Sequence, residues 1–519
     1  MKLIETLRDP ALAEQLVRRW LGVGSFLVIA MFVAYWIGEQ RTIELTLCVA
    51  IAIVVFITVG MQHRAWLLIL FAWGMTGTSS YLPFSLSIRD VSILLAFSAY
   101  ATHRIVTHAD VRRPFHILDA ILAANIIWLA VGFVHHPVGF RIFGATTIGG
   151  RPYINIALAL LAFWVVVRLP NSVKSVSRVP LYMLAGTSVI AVLNLIVSIA
   201  PSTTVYLYPF YGGVDLSGYA QMIGVESDVM RLTGLRPFGY TLVLVLCAYR
   251  KPRVLFNPLR PWFYLLLLGF AALLLSGFRS VLLGVMVMLA IASWLHRGWR
   301  GLVMTTVPAG LLLVAVIAGQ GKLYELPLSM QRALSFLPGQ WSPIVLASAE
   351  QSSESRFKWW HDVIEQDLIK DWRYGDGFGV LESDYDTLKA STTAFDWFTL
   401  TGAFHNGLLT SIRNAGVTGL ILFYIFMLAA ALYSLKCVRL CQGTPLEPAA
   451  IFIALPLLWT PIDFAVIFGA YDSQLPEHIL LVALMLLIMR MAPKARATAT
   501  VQSSPPATTS TPALAQSFR

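Results

Sequence analysis

The sequence predicts an all-α membrane protein: a polytopic bundle of about 12–14 transmembrane helices with a large, partly helical periplasmic loop. Of its 519 residues, 57% are hydrophobic and only 13% are charged, and the mean hydropathy is +0.71. A soluble protein carries about 25% charged residues, so this chain has too little polar material to cover a water-facing surface of its size. The apolar residues fall in blocks of roughly 16–22, long enough to cross a bilayer as helices. The blocks lack the alternation that barrel strands show.

Fourteen apolar blocks are predicted to be spans, at residues 21–38, 43–61, 66–80, 90–105, 117–134, 153–169, 179–200, 237–249, 261–276, 280–296, 301–319, 406–435, 448–469 and 477–490. The blocks at 66–80 and 237–249 are short, so each is open to being tilted, broken or half-buried. The first block follows Arg8, Arg18 and Arg19 on a short amphipathic stretch without a small-residue cleavage site. We therefore expect an anchoring helix and not a removed signal peptide.

The positive charges predict which connections face the cytoplasm. Alternating from a cytoplasmic amino terminus, 23 of the 38 Lys and Arg residues fall on the cytoplasmic side, mostly in short loops. Seven of the others lie in one loop of about 85 residues, and loops that long carry little weight in the positive-inside rule. Both termini are therefore predicted to be cytoplasmic. The net charge of +11 belongs to this pattern and does not predict nucleic-acid binding.

Five regions follow from these blocks. They are a cytoplasmic amphipathic segment at 1–20, a first part of the bundle at 21–319 with an outer loop at 201–236, a large periplasmic loop at 320–405, carboxy-terminal transmembrane helices at 406–491, and a cytoplasmic tail at 492–519. The large loop contains an amphipathic stretch followed by a glycine-rich turn. The tail is rich in Ser, Thr, Pro and Ala and is predicted to be disordered.

Several cations collect at the predicted outer ends of the spans. Arg279 lies in the tight apolar junction LLLSGFRSVLLG, Arg231 and Arg236 precede a short span, and His405 and Arg413 open another. An arginine near hydrocarbon is costly, so a partner is expected. Guanidinium groups match phosphate oxygens in pairs and stay charged, which points to a pyrophosphate at the membrane surface. His405 is the outer residue best placed to exchange a proton near neutral pH.

Structural explanations exist for three of these residues, but Arg279 has little freedom to reach the lipid headgroups in its tight hairpin. The side chains of Arg236 and Arg413 could instead extend to lipid headgroups. His405, beside Asn406, could instead cap a helix. No metal site is predicted, because the pair His135–His136 has no third ligand within sequence reach. The glycine turn GDGFG is not followed by Lys-Ser or Lys-Thr, so it is not a phosphate-binding P-loop.

Three stretches, taken in order, resemble the O-antigen ligase and O-antigen polymerase superfamily of membrane glycosyltransferases. They are RLTGLRPFGY at 231–240, SGFRSVLLGVMVMLA at 276–290, and RFKWWHDVIEQDLIKDWRYGDGFG at 356–379 followed by HNGLLTSIRNAGVTGLILF at 405–423. The chain departs from the family pattern at Phe278, where a polar residue is usual, at Ser280, which replaces a common glycine, and at Asp376 inside the glycine turn.

The resemblance implies a role for each site residue. Arg231 and Arg279 would bind the pyrophosphate and stabilise its charge as the glycosidic bond breaks. His405 would accept the proton of the incoming sugar hydroxyl. Arg356 would support the donor or shape the loop. A further group, Arg236, Asn406 and Arg413, would contact pyrophosphate or glycan. Neither a metal nor a cofactor is expected.

The implied activity is polymerisation of undecaprenyl-pyrophosphate-linked repeat units of an exopolysaccharide or O antigen, on the periplasmic face of a bacterial inner membrane. The alternatives within the family are a ligase that transfers the polysaccharide to lipid A-core and an enzyme that glycosylates a protein hydroxyl. The expected partners are the lipid-linked donor, a glycan or lipid A-core acceptor, the bilayer, and a chain-length regulator and flippase of the same pathway. Nucleic acid is not expected.

A flippase or other carrier is the alternative from a different class. A carrier needs a path through the membrane midplane, often marked by charges inside spans and by repeated halves. The sequence has no internal repeat, and its spans read as nearly uncharged at their centres. These two observations favour the glycosyltransferase.

Overall fold

The computed structural model of the chain describes residues 60, 64–82, 86–107, 113–137, 150–169, 171–216, 231–379 and 401–503. The predicted segment 1–20 and the first predicted span lie outside the described residues, as does the second except for its residue 60. In the described ranges the chain forms helices, and its only β-type pairings are two isolated bridges. The all-α prediction is confirmed.

Thirteen longer helices organise the described chain. They are α1 (Trp66–Ala72), α2 (Ile88–Thr107), α3 (Ile117–His135), α4 (Arg151–Arg168), α5 (Val179–Ile199), α6 (Arg236–Tyr249), α7 (Pro261–Leu275), α8 (Arg279–Gly319), α9 (Leu328–Leu334), α10 (Pro343–Glu365), α11 (Gly407–Cys441), α12 (Glu447–Ile462) and α13 (Tyr471–Ser503). A π-helical turn, Asp463–Ile467, extends α12. Short helices at Val173–Ser177, Thr204–Leu207 and Pro252–Leu255 connect them.

Seven of these helices are long and apolar enough to cross a membrane, as the prediction of a multi-pass protein requires. The block at 66–80 behaves differently, because α1 has only seven residues and is therefore about 10 Å long. Its end is fixed by close packing, since a side chain at Gly186 of α5 would overlap the carbonyl oxygen of Phe71. Gly77 then lies against the backbone of Gly213, which follows the short helix Thr204–Leu207. This segment is a half-helix, not a full span.

Helix α8 is a hairpin of two helices. Arg297 and Gly298 have non-helical backbone angles, and the φ of Gly298 is +59°. The side-chain oxygens of Ser293 and Thr305 are 2.6 Å apart. Twelve residues of straight helix would separate them by about 18 Å, so the chain must reverse between them. The two predicted blocks at 280–296 and 301–319 are therefore two antiparallel helices, as expected.

Helix α11 is broken at Gly416. This residue has φ +69° and ψ 177°, a conformation that only glycine adopts easily. The carbonyl oxygen of Arg373 occupies the space that a side chain at Gly416 would need. The break frees backbone groups that the loop then satisfies: Val417 N donates to the Trp372 carbonyl at 2.8 Å, and Asp376 N donates to the Arg413 carbonyl at 2.7 Å.

The large loop contains the predicted amphipathic helix and glycine turn. Helix α9 packs beside α7, and α10 leads into the turn at residues 371–379. Gly375, Gly377 and Gly379 all have positive φ, which explains the glycine spacing of the sequence. Residues 380–400 lie outside the described ranges. We call the end of the bundle that carries this loop the loop end.

The centre of the bundle is α13, which packs against α4, α11 and α12. Within its membrane-length window, 83% of the residues are buried. The prediction that residues 492–519 form a disordered tail is wrong for the first part of this range, because α13 continues to Ser503. The residues from Lys494 onwards are rich in Ala, Lys and Arg, which favour a helix, and the chain reaches its next proline only at Pro505.

Candidate functional site

Three arginines come together at the loop end from three separate parts of the chain. Arg279 is the first residue of α8, Arg356 lies on α10, and Arg231 precedes α6. The aliphatic stem of Arg231 packs on Gly277, within 3.2 Å of where a Cβ would stand. Arg231 and Arg356 are both close enough for their charges to act on Arg279. The family resemblance implied a role in donor binding for Arg231 and Arg279, and a supporting role for Arg356; these roles stay predictions.

The junction between α7 and α8 needs a glycine for this arrangement. Gly277 has φ +70°, a backbone conformation that side chains disfavour. A residue with a side chain there would also press on the stem of Arg231. Leu232 N donates to the carbonyl of Leu275 at 3.1 Å, which ties the Arg231 segment to the end of α7. The tight junction therefore fixes both arginines relative to each other.

The positive charges of Arg279 and Arg356 are not neutralised within the described structure. A guanidinium nitrogen of Arg279 donates to the carbonyl oxygen of Ala349 on α10 at 3.2 Å. Among the residues that the structure describes, no Asp or Glu forms an ion pair with Arg279 or Arg356. Both side chains are half-buried. Half-buried, closely spaced arginines repel each other, and a bound polyanion would relieve that repulsion.

His405 lies beside this cluster. Its Nδ1 donates to the carbonyl oxygen of Ala403 at 2.9 Å, which leaves Nε2 as the basic nitrogen. Burial lowers the pKa of His405 below its ordinary value of 6.5; the hydrogen bond to Ala403 opposes this, and the charge of Arg356 lowers it further. The imidazole is therefore neutral at pH 7 and able to accept a proton.

The backbone of His405 is strained and firmly held. Its φ is +53°, which a residue other than glycine adopts at a cost of about 1–3 kcal/mol. On one side, Trp360 Nε1 donates to the carbonyl of Phe404 at 2.8 Å. On the other, Gly407 fits against the backbone of Phe464, where a side chain would collide with its carbonyl. The imidazole also makes an edge contact with the Phe468 ring at 5.3 Å.

Asn406 and Arg413 were predicted to contact the substrate, and the structure gives both of them structural contacts. The side-chain oxygen of Asn406 accepts from Leu408 N and Leu409 N at 3.0 and 3.1 Å, so Asn406, not His405, caps α11. Arg413 is buried, pairs with Asp376 at 3.3 Å and donates to the carbonyl of Gly377 at 2.6 Å. Arg413 thus fastens the glycine turn to α11, and its binding role stays a prediction.

The pair His135–His136 also holds the loop. His135 stacks on Tyr374 with ring centroids 4.1 Å apart, and Trp128 of the same helix stacks on Tyr374 at 5.5 Å. The Nε2 of His136 lies 3.4 Å from a carboxylate oxygen of Asp371. Among the described residues, no group of three or more potential metal ligands occurs. These histidines connect α3 to the glycine turn.

Two carboxylates that sequence reasoning passed over lie in the same region. Asp463 begins the π-helical turn after α12, and Glu477 lies in the second turn of α13. Arg236 lies over the Phe278 ring, 4.9 Å from its centroid, and its charge acts on Glu477. Both carboxylates lie towards the ends of their predicted spans, so the prediction of nearly uncharged span centres is unaffected. An ionisable residue inside an apolar block was a signal that the sequence already contained.

Comparison with protein-family models and with curated proteins finds no match to this chain. The geometry itself offers an anion site built from Arg231, Arg279 and Arg356, next to a neutral imidazole that is held in one orientation. Such a site is able to hold a phosphate-bearing group and to remove a proton from a neighbouring hydroxyl.

Proposed function

We propose that this chain is a membrane glycosyltransferase that polymerises undecaprenyl-pyrophosphate-linked repeat units of a cell-surface polysaccharide on the periplasmic face. The observation that carries the proposal is the grouping of Arg231, Arg279 and Arg356 beside a neutral His405. Each feature answers one need of the reaction. A lipid pyrophosphate requires fixed cations at membrane level, and an attacking sugar hydroxyl requires a base that is unprotonated at neutral pH.

The reaction breaks one bond and forms one. Nε2 of His405 takes the proton of the acceptor hydroxyl as its oxygen attacks the anomeric carbon of the donor sugar. The bond between that carbon and the pyrophosphate oxygen breaks, and its electron pair leaves with the lipid pyrophosphate. Arg231 and Arg279 stabilise the charge that grows on the leaving group, without needing to reorganise. Arg356 lies near both Arg279 and His405, and it links the donor site to the base.

The nearest alternative is a ligase that transfers the finished polysaccharide to lipid A-core. Its donor chemistry is the same, so the arginine cluster and His405 support both activities equally. A carrier is a second candidate of another class, because Asp463 and Glu477 place carboxylates inside apolar helices, as transport pathways do. The arginine cluster and its half-buried histidine favour the transferase over the carrier.

The deciding experiment gives the purified protein in nanodiscs a radiolabelled lipid-linked oligosaccharide, with and without lipid A-core. A ladder of products that stays on the lipid carrier is the expected result. Transfer to lipid A-core would identify the ligase instead. Movement of the labelled lipid across vesicle membranes without glycan growth would contradict the transferase and support the carrier.

Two variants test the site. Arg279→Lys keeps the charge but loses the forked donors, and we expect kcat to fall about 100-fold. His405→Gln removes the base, and we expect a fall of about 100-fold or more. The matched controls are Arg300→Lys, just after the reversal of α8 at Gly298, and His361→Gln, on the exposed face of α10 beside Glu365. Full activity in both site variants, with normal membrane insertion, would refute the assignment.

A further inference from the structure

Glu477 is accessible although its helix is the most buried of the bundle. Its neighbours along α13, from Leu475 to Leu480, are all buried, and the buried run continues to residue 488. Glu477 and Ser473, one turn earlier, are the exposed positions in the first two turns. Because α13 is surrounded by other helices, Glu477 must face an accessible space between helices at the loop end.

Arg236, the first residue of α6, is also exposed, and its charge and that of Glu477 act on each other. The charge of Glu477 also acts on Asp463, which is only partly buried. Among the described residues, none of Arg236, Glu477 and Asp463 forms an ion pair within 4 Å. The other cation that acts on Glu477 is Arg89, and it pairs with Asp90. Opposite charges therefore interact here without a direct ion pair.

This mixed-charge group adjoins the proposed reaction centre on two sides. Arg236 lies on the ring of Phe278, the residue that precedes Arg279. Phe468 N donates to the carbonyl oxygen of Asp463 at 2.9 Å, and the Phe468 ring touches the imidazole of His405. A ligand between Arg236 and Glu477 would thus lie next to both the arginine cluster and the base.

The charge of the group indicates what kind of ligand fits. Two carboxylates repel a pyrophosphate, so this space does not suit the donor's phosphates. Carboxylates accept hydrogen bonds and a guanidinium donates them, while each sugar hydroxyl does both. A polyhydroxylated, uncharged ligand is able to bridge Arg236 and the carboxylates, and it would satisfy charges that are expensive to leave unpaired inside a membrane protein.

We propose that Arg236 and Glu477, with Asp463 beside them, form the acceptor subsite, which holds hydroxyl groups of the incoming sugar so that one of them reaches His405. This inference rests on the proposed glycosyltransferase function and adds the second substrate to it. The arginine cluster holds the donor pyrophosphate, and the carboxylate side holds the acceptor glycan. The part of the site that binds the donor is therefore positively charged, and the part that binds the acceptor carries the carboxylates.

The test separates donor from acceptor. The donor is a lipid-linked repeat unit, and the acceptor is the same repeat unit on a short alkyl chain without pyrophosphate. Glu477→Gln keeps the size of the side chain and removes its charge, and we expect the KM for the acceptor to rise about tenfold or more. The KM for the donor, and its slow hydrolysis by water, should change less than twofold.

Two further variants complete the test. Arg236→Gln should also raise the acceptor KM, whereas Asp472→Asn, five residues before Glu477 on the same helix, should leave both KM values unchanged. Retained donor hydrolysis shows that each variant is folded. An unchanged acceptor KM in Glu477→Gln, or an equal rise in both KM values, overturns the subsite while the transferase stands. A wild-type protein that transfers no glycan overturns the transferase itself, and the acceptor subsite with it.

Discussion

At the scale of single residues, His405 shows how local strain and electrostatics combine. Its backbone is held in a left-handed conformation by Phe404 on one side and Gly407 on the other, both of them buried. The hydrogen bond to Ala403 selects the tautomer with Nε2 as the base. Burial and the charge of Arg356 both disfavour the imidazolium ion. A residue under strain of this kind is a candidate for function because the surrounding packing must stabilise it.

The pH dependence of the reaction follows from this environment. Because the pKa of His405 lies below 6.5, the base stays neutral into mildly acidic solution, and kcat/KM should fall only as the pH drops below that value. Arg356→Gln removes one influence that lowers the pKa. The acid limb should therefore move to higher pH, which a profile of kcat/KM between about pH 5 and 8 would measure.

The control for this prediction is Lys358→Gln, two residues away on the exposed side of α10. A solvated lysine is screened by water and salt, so its removal should leave the acid limb in place. Equal shifts in the two variants would show that a general surface charge, not Arg356, sets the pKa of His405.

At the scale of elements, two interruptions decide how the loop end is built. The glycine turn at 371–379 docks into the break of α11 at Gly416, where Asp376, Arg413 and freed backbone groups meet. The reversal at Gly298 turns α8 into a hairpin. Both interruptions use positive φ, so both depend on glycine. Hydropathy does not reveal the break at Gly416, because the apolar block continues through it.

Gly416→Ala should loosen the docked turn. The new methyl group would collide with the carbonyl of Arg373, and alanine is strained at φ +69°. We expect a loss of more than about 2 kcal/mol of stability, seen as a Tm lower by several degrees in detergent. The matched control is Gly310→Ala, where no atom lies within 4 Å and φ is not positive. Alanine there should be neutral or stabilise by about 0.5–1 kcal/mol. Similar Tm values for the two variants would contradict the docking geometry.

The hairpin in α8 is tested by cross-linking. A protein with Ser293→Cys and Thr305→Cys should form a disulfide on mild oxidation in membranes, because the native side chains touch. The pair Ser293→Cys with Thr306→Cys is the control, since Thr306 is exposed on another face. Absence of the first cross-link would favour one long helix. The three described native cysteines are buried and should contribute little background.

At the scale of the whole molecule, the charge distribution predicts which end faces the cytoplasm. Arg300 and Lys322 are exposed and flank the second helix of the α8 hairpin. In the predicted topology, Lys322→Cys should react with an impermeant thiol reagent in intact spheroplasts, and Arg300→Cys only after permeabilisation. The reverse pattern would place the arginine cluster in the cytoplasm and exclude a periplasmic reaction.

Much of the architecture could be predicted because it depends on local sequence. Apolar blocks of the right length predicted most of the long helices that the structure describes, and the hairpin of α8 was visible as two blocks separated by Arg297 and Arg300. The spacing of the glycines predicted the turn at 375–379. The half-helix α1 and the helical start of the tail were missed. Tertiary packing sets the end of α1, and the lack of a helix breaker between Lys494 and Ser503 lets α13 continue. Hydropathy reveals neither.

The sequence alone determined that this protein is a helical membrane bundle, and it predicted that Arg231, Arg279 and His405 lie at one end of it. Only the tertiary structure decided which of those residues meet. It placed Arg356 near both Arg279 and His405. It made Arg413 a support of the glycine turn and Asn406 the cap of α11, and it brought Arg236 near Glu477. The physical reason is that a mostly apolar helix does not specify its own rotation or tilt in a bundle. Packing against other helices sets those angles, and they decide which polar side chains face each other.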